Sequence, residues 1–495
     1  MICLKDDLSS LDSHTVPKGS IMSKKPLISY KLSLTAFMLI TFAAIMSIRN
    51  FPTQSEVGWQ LIFFCLLAFI IYLIPASLVS AELATGWPQE GGVYVWVKEA
   101  FGEKWGFMAI WLQWFQMTIG MISILTFIAA TFSYIINPEL ANNKLYLFIC
   151  IVILWWGLTF LNFRGLKAYT RISSISVILG TFIPAAILLI GGAWYIFSGQ
   201  PVQLTLQPTI TDLIPDFSSL SNLTLLVTFV FLFIGIEMTA NHAQDINNVK
   251  KNYPLGIFTV GLIITGVSII GGLIVALLVP AGNINLLSGI MQTFEIIFAD
   301  PQLSWLVLLI ALLIAIGAIG QVSTWILGPV RGLFVTAKKG MLPPLLQKKN
   351  KNDIPVNMLI LQGVLVTFWG AVYALAPGGV NSSFWMLVAL TTTVYIVMYF
   401  LMYAAAIKLR YTRPDVPRSF KIPGGKAGMW LVGGFGFLMM ALLFVVAMLP
   451  PSQISEGSGY VAFMLIGTIV VAIIPLIIYA FKKPGWKLNE PETKQ

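Results

Sequence analysis

Arg49 is a single positively charged residue near the end of an apolar stretch, residues 32–51, that is long enough to cross a membrane as a helix. In a straight helix it would lie about 27 Å beyond Lys31, at about 1.5 Å per residue, and its side chain would reach the membrane surface. If the helix instead unwinds at Ile45-Met46-Ser47, Arg49 faces the interior, where an arginine requires a carboxylate partner or solvent. The sequence is compatible with both alternatives, and in the second the partner is Glu237 or a carboxylate of a bound molecule.

Glu237 and His242 follow another apolar stretch, residues 217–236. Glu237 is interpreted either as a structural carboxylate that caps part of a helix or as a coupling site for a proton or a substrate. His242 is either a pH sensor or a hydrogen-bonded residue near a helix end. Gly235, two residues before Glu237, either permits an unwound bend that exposes backbone amides or allows close helix packing.

The composition predicts an all-α integral membrane protein. Of the 495 residues, 57% are hydrophobic and 10% are charged, whereas soluble domains carry about 25% charged residues. Each charge-free stretch is long enough for one helical span, except 354–407, which Pro377-Gly378-Gly379 divides into two. Buried backbone groups must pair within each span, and the short alternating segments of a β-barrel are absent from the sequence. The twelve spans, numbered α1 to α12 in chain order, occupy residues 32–51, 57–81, 105–138, 145–163, 172–211, 217–236, 254–294, 301–330, 354–407 (two spans), 427–455 and 457–481.

The loop charges predict the orientation of these spans. If the N-terminus is cytoplasmic, 28 of the 30 Lys and Arg residues fall in cytoplasmic segments, and the exceptions are Arg49 and Lys144. This is the positive-inside bias of multi-pass proteins. It predicts that both termini lie in the cytoplasm and explains the net charge of +10, which therefore does not indicate nucleic-acid binding.

The chain is expected to form a single transmembrane domain over residues 27–482, with α1–α5 at about 31–197, α6–α10 at about 220–408 and α11–α12 at about 428–481. Residues 1–26 are expected to be a disordered cytoplasmic segment, with translation starting at Met1 or Met22, and residues 483–495 a short cytoplasmic tail. The widely spaced cysteines indicate neither a disulfide framework nor a metal site, and no cofactor is expected.

The polar residues of α1 and α6 predict interrupted helices. Transporters often bind substrates where two helices break at matching places of an inverted repeat, because the broken ends expose dipoles and unpaired backbone groups. Since α1 and α6 are five spans apart, a five-plus-five inverted repeat makes them counterparts. The last two spans, α11 and α12, are then additions outside the repeat.

Three different motifs occur along the chain, and each is weak by itself. They are Phe233-x-Gly235-x-Glu237 with Asn247 and Asn252-Tyr253-Pro254; Glu82-Leu83-Ala84 with Glu90-Gly91-Gly92-Val93-Tyr94-x-Trp96; and Trp325-x-x-Gly328-Pro329-x-Arg331-Gly332. Together they resemble the amino acid–polyamine–organocation (APC) transporters. Within that superfamily, residues 27–482 are similar to the bacterial glutamate/γ-aminobutyrate antiporters, through Pro215-Asp216-Phe217, Ile284-Asn285-Leu286, Gly289-x-Met291-Gln292-Thr293-Phe294, Phe420-x-Ile422-Pro423-Gly424-Gly425-Lys426 and Leu449-Pro450-Pro451.

The resemblance implies a LeuT-like fold with α1 and α6 interrupted, and amino acid exchange across the bacterial inner membrane. It also implies a link to acid resistance, with glutamate entering, γ-aminobutyrate leaving and a cytoplasmic amino acid decarboxylase as functional partner. Two positions depart from the family: Arg49 replaces a usual aromatic residue, and Gln321 replaces an acidic one. Both changes make the cavity less negative and favour an anionic substrate.

Family positions that line or gate the pocket match Trp325, Tyr395 and Tyr399, for which simple packing is the alternative. Tyr395 and Tyr399 are four residues apart and share a helical face. The complete set of predicted substrate-binding residues is Ile45, Met46, Ser47, Arg49, Phe233, Ile234, Gly235, Gln321, Trp325, Tyr395 and Tyr399, with Glu237 and His242 as coupling or pH-sensing residues.

No nucleotide-binding loop, zinc-protease motif or nucleophile motif is present in the sequence, so an enzyme is not expected. Channel filters and charge rings are also absent from the sequence. The alternatives to an antiporter are a proton-coupled amino acid symporter of other specificity and a non-transporting amino acid sensor with the same fold.

Overall fold

The computed structural model describes residues 31–164, 174–216, 220–450 and 457–487. The predicted disordered segment 1–26 and most of the predicted tail lie outside these residues. Within them the chain is helical, and eleven helices are long and apolar enough to cross a membrane. They are α1 (Leu34–Ser55), α2 (Gly58–Gly86), α3 (Glu103–Ile136), α4 (Lys144–Asn162), α5 (Ser174–Phe197), α7 (Val249–Leu278), α8 (Ser304–Lys338), α9 (Val356–Leu375), α10 (Val380–Thr412), α11 (Gly425–Ala447) and α12 (Gly459–Ala480).

The remaining span, α6, is shorter than that length because it is interrupted. It consists of an α-helix at Leu220–Phe231, a non-helical segment at 232–237 and a 3₁₀ helix at Met238–Asp245. Its counterpart α1 has an α-helix at Leu34–Ile45 and resumes at Ile48, after extended backbone at Met46 and Ser47. The twelve predicted spans and both predicted interruptions are therefore present, as the LeuT-like fold requires.

Ser33 begins the first half of α1 by capping it, because its hydroxyl accepts a hydrogen bond from the backbone N–H of Ala36 at 3.2 Å. The inner ends of α1 and α6 are joined by backbone hydrogen bonds. The N–H of Leu32 donates to Asp245 O at 2.6 Å, and the N–H of Asn247 donates to Leu32 O at 2.8 Å. These two bonds couple the broken helices to each other.

Helix α3 lies in the centre and packs against α8 and α10. Its side chains also contact both broken helices, because Ser123 binds Arg49 of α1 and Gln113 binds Glu237 of α6. The shorter helices that connect the spans include Val93–Phe101 before α3 and Gly289–Ile297 between α7 and α8.

A buried ion cluster fixes the end of α2 to the connection between α10 and α11. The carboxylate of Glu82 lies 3.1 Å from Arg410 Nη1 and 3.5 Å from Arg418 Nε, and it accepts the backbone N–H of Ile422 at 2.8 Å. All three charged side chains are at most 3% exposed. The two guanidiniums and the amide compensate the cost of burying this carboxylate.

Candidate functional site

The interruptions of α1 and α6 border a central cavity. Its polar walls come from α1, α3, α8 and α10: Arg49, Asn50, Gln116, Gln321, Trp325 and Thr391. The apolar walls include Ala44, Ile45, Met117, Met121, Ile124, Phe231, Leu232 and Ile234. The mixed polar and apolar lining suits a small amphiphilic molecule.

Arg49 is buried in the wall of this cavity, with 8% of its surface exposed. Its Nη1 donates a hydrogen bond to Ser123 Oγ of α3 at 2.6 Å, whereas its Nε has no hydrogen-bond partner. Within the described ranges, no carboxylate forms an ion pair with it. The side chain is thus an uncompensated buried cation, and the straight-helix alternative, which sends it to the membrane surface, is wrong.

Glu237 has other partners, so of the two alternatives for the partner of Arg49, the pair with Glu237 is wrong. Its carboxylate accepts hydrogen bonds from Gln113 Nε2 at 2.9 Å and from the hydroxyls of Tyr395 and Tyr399. The hydroxyl of Tyr72, on α2, is hydrogen-bonded to that of Tyr399. Three donors from α3 and α10 satisfy this carboxyl group, and they tether the unwound segment of α6 to those helices.

Two side chains of α8 satisfy the broken end of α1. The carbonyl of Ala44 would be unpaired where the helix ends, and it accepts hydrogen bonds from Trp325 Nε1 at 2.7 Å and Gln321 Nε2 at 3.2 Å. Gln321 Oε1 is buried and has no hydrogen-bond partner among the residues that the structure describes. The family-matched positions therefore support the backbone of α1 as well as forming cavity walls.

Gly235 combines the two roles that the sequence left open. Its φ of +97° belongs to the left-handed region that favours glycine. A Cβ at this position would lie 2.7 Å from Trp325 Cη2. The bend of α6 and its close approach to α8 therefore both depend on the missing side chain.

Replacement of Gly235 by Ala is expected to reduce transport at least about tenfold, because strain at positive φ and a displaced Trp325 each cost about 1 kcal/mol or more. The measurement is the initial rate of amino acid uptake by reconstituted protein. Gly266→Ala is the matched control, because a Cβ there meets nothing within 4 Å and the residue lies inside α7. Equal uptake by the two variants would contradict the role of Gly235.

Five of the sequence-predicted residues line the central cavity: Ile45, Arg49, Ile234, Gln321 and Trp325. Ser47 lines a smaller neighbouring cavity together with Gln321. The others lie outside the cavity walls but are buried in the surrounding core: Met46, Phe233, Glu237, Tyr395 and Tyr399. His242 is in the 3₁₀ helix of α6, and its side chain is outside what the structure describes.

Sequence reasoning missed the contribution of α3. Gln113, Gln116 and Ser123 all face the site, where they contact Glu237, line the cavity and contact Arg49, respectively. Their spacing of three and seven residues places them on one helical face. A polar face within a charge-free span is the signal that would have identified them.

An interrupted pair of helices around a central, amphiphilic cavity, inside a bundle of membrane-spanning helices, defines a secondary transporter. Residues 32–473 match the family model described as amino acid permease. The chain belongs to this amino acid permease family of the APC superfamily and is a multi-pass membrane protein.

Similar proteins match nearly the whole chain. An uncharacterized transporter of Legionella pneumophila is 38% identical, over 90% of this chain and 95% of its own length. A glutamate/gamma-aminobutyrate antiporter of Lactococcus lactis subsp. cremoris is 36% identical, over 93% of both chains. A protein of the same description from Lactococcus lactis subsp. lactis is 35% identical, over 91% of this chain and 90% of its own.

Proposed function

We propose that this protein exchanges external glutamate for internal γ-aminobutyrate by alternating access. The observation that carries the proposal is the buried guanidinium of Arg49, which faces the central cavity without a carboxylate partner in the described structure. An uncompensated buried cation favours an anionic group of the substrate. The two Lactococcus relatives described as glutamate/gamma-aminobutyrate antiporters support the same substrate pair.

The chemistry of the two substrates explains how one site serves both. γ-Aminobutyrate is glutamate without its α-carboxyl group, so the distal carboxylate and the amino group are common to the two molecules. Arg49 binds the shared carboxylate, with Nη and Nε groups that suit two parallel hydrogen bonds. The additional α-carboxylate of glutamate lies toward the non-helical segment 232–237 of α6, which borders the cavity at Leu232 and Ile234.

In alternating access, α1, α2, α6 and α7 move against α3, α4, α5 and α8. One contact between these groups joins Arg331 of α8 to Asp245, at the end of α6, at 3.3 Å. Arg331 also lies 3.2 Å from Glu90. These side chains are 23–30% exposed, and pairs of that kind contribute about 1 kcal/mol or less, so they can break and re-form in each cycle.

The proposed location is the bacterial inner membrane, with both termini in the cytoplasm, because 28 of 30 Lys and Arg residues then lie on the inner side. We also propose that residues 27–482 form a single transmembrane domain. A cytoplasmic decarboxylase would convert glutamate and one proton into γ-aminobutyrate and carbon dioxide. Import of glutamate with export of that product would therefore remove one cytoplasmic proton per cycle and support acid resistance.

A proton-coupled amino acid symporter is the second candidate, because Glu237 is a buried carboxylate within the unwound part of α6. Proteoliposomes separate the two functions. An exchanger takes up radiolabelled glutamate only when γ-aminobutyrate is inside. Uptake into empty vesicles that depends on an inward proton gradient would establish the symporter, and the absence of any amino acid uptake would favour a sensor.

Glutamine is expected to compete with glutamate at least about fivefold less effectively. It has the same shape but offers Arg49 a neutral amide, and a hydrogen bond to a charged group is stronger than a neutral one by about 1 kcal/mol or more. The measurement is the concentration of each amino acid that halves uptake of labelled glutamate. Equal concentrations would contradict recognition of the distal carboxylate by Arg49.

A further inference from the structure

A basic groove lies where three membrane spans end. It borders the start of α3 at Glu103, the end of α8 at Lys338 and the end of α12 at Ala480. Its walls contain five lysines and a single carboxylate: Lys98, Lys339, Lys482, Lys483, Lys487 and Glu103. Because span ends mark the boundary between hydrocarbon and water, this groove lies at the depth of lipid headgroups.

The positive charge of the groove is only partly compensated. Lys98 lies 3.5 Å from the carboxylate of Glu99, and Lys482 lies 3.8 Å from that of Glu103. Among the described residues, Lys339, Lys483 and Lys487 form no ion pair within 4 Å. Burial and the neighbouring ammonium of Lys98 lower the pKa of Lys339. An anion bound between these lysines would relieve that repulsion.

The segment after α12 is fixed in place on the loop after α8. Gln347 Nε2 donates a hydrogen bond to the carbonyl of Trp486 at 2.7 Å. Gly340 has a φ of +81°, and a Cβ there would lie 2.8 Å from the backbone nitrogen of Lys487. These two contacts hold lysines that are distant in the sequence around one groove.

An apolar track leads to the groove along α12. Ile473, Ile477 and Phe481 follow one another at intervals of four residues, which places them on one helical face. They are 44%, 49% and 72% exposed, respectively. The lysines and the apolar side chains are therefore arranged to contact the charged head and the hydrocarbon chain of a lipid, respectively.

We propose that this groove binds the phosphate of an anionic phospholipid, with an acyl chain along α12. Several converging ammonium groups provide point charges for a phosphate, and basic pockets at the ends of membrane helices bind anionic headgroups. This site is separate from the central cavity, so the proposal does not depend on which amino acids the protein transports.

The test uses the full-length protein, purified in detergent, with phosphatidylglycerol as the added lipid and phosphatidylcholine as the neutral comparison. Lipid bound to the intact protein is measured by native mass spectrometry. Each lysine removed is expected to lower the apparent affinity for phosphatidylglycerol about fivefold, so Lys339→Gln/Lys487→Gln lowers it about 25-fold. The matched control is Lys348→Gln/Lys351→Gln, which removes two exposed lysines outside the groove and leaves the affinity unchanged.

Gly340→Ala removes no charge but displaces the segment that carries Lys487, and it is also expected to weaken phosphatidylglycerol binding. Equal loss of lipid from the groove and control variants, or unchanged binding in the groove variants, would overturn the proposal. A further comparison measures the melting temperature in detergent without anionic lipid. If inorganic phosphate raises this temperature as much as phosphatidylglycerol does, the assignment to a lipid is wrong. A melting temperature in phosphatidylcholine that matches the wild type verifies that each variant is folded.

Discussion

Arg49→Ala is expected to lower glutamate uptake at least about hundredfold while leaving the amount of protein in the membrane unchanged. The substitution removes two charge-assisted hydrogen bonds to the substrate carboxylate, each contributing about 1.5–3 kcal/mol, and about 3 kcal/mol corresponds to more than a hundredfold in affinity. It also removes a buried cation whose Nε has no partner, so the fold itself loses little. The measurement is initial uptake of radiolabelled glutamate into proteoliposomes containing γ-aminobutyrate.

Two further substitutions make this result specific. Arg413→Ala removes an exposed arginine at the end of α10 and is expected to transport like the wild type. Arg49→Lys keeps the charge but loses the planar pair of donors, so an intermediate rate is expected. If Arg49→Ala transports glutamate normally, the central cation does not bind the substrate, and the proposed recognition is wrong.

Glu237→Gln is expected to slow glutamate/γ-aminobutyrate exchange at least about tenfold and to lower the melting temperature. The carboxylate accepts hydrogen bonds from Gln113, Tyr395 and Tyr399. An amide replaces one accepting oxygen by a donor, so at least one hydrogen bond is lost and a buried donor is left unsatisfied, which costs about 1–3 kcal/mol. Because Glu237 lies in the interrupted part of α6, this loss disturbs the element that borders the cavity.

Glu139→Gln, an exposed carboxylate after α3, is the control and should leave both quantities unchanged. Tyr399→Phe removes a single donor and should have a smaller effect than Glu237→Gln. The proposed coupling role is tested by the effect of a pH gradient on the exchange rate. If Glu237 carries a coupled proton, a pH gradient accelerates exchange by the wild type but not by Glu237→Gln. Normal exchange and normal melting by Glu237→Gln would contradict the tethering role.

Much of the fold could be predicted because it depends on local composition. The long apolar stretches specified the spans, and the polar residues Arg49 and Glu237 indicated which two spans are interrupted. The positions of both interruptions agree with the structure, at Met46 and Ser47 in α1 and at 232–237 in α6. Unpaired backbone groups cannot face lipid, so a break in a span predicts a cavity or a protein contact beside it.

The contacts within the site could not be predicted in the same way. The sequence left Glu237 and a substrate carboxylate as alternative partners of Arg49, because pairing depends on the rotation of each helix, which composition does not determine. Neutral donors on α3 and α10 satisfy Glu237 instead, and Ser123 binds Arg49. The polar face of α3 indicates that these residues face the site, but which of them binds Glu237 and which binds Arg49 depends on the packing of α3 against α8 and α10.

The exchange of glutamate for γ-aminobutyrate is tested most directly by following both fluxes in one vesicle population. Proteoliposomes are loaded with γ-aminobutyrate carrying one radiolabel, and glutamate carrying another is added outside. We expect external glutamate to release γ-aminobutyrate in equal molar amount, and external lysine, a cation, to release none. Glutamate uptake that proceeds without γ-aminobutyrate release would contradict the exchange mechanism, and release driven equally by lysine would contradict the role of Arg49 in selecting an anionic group.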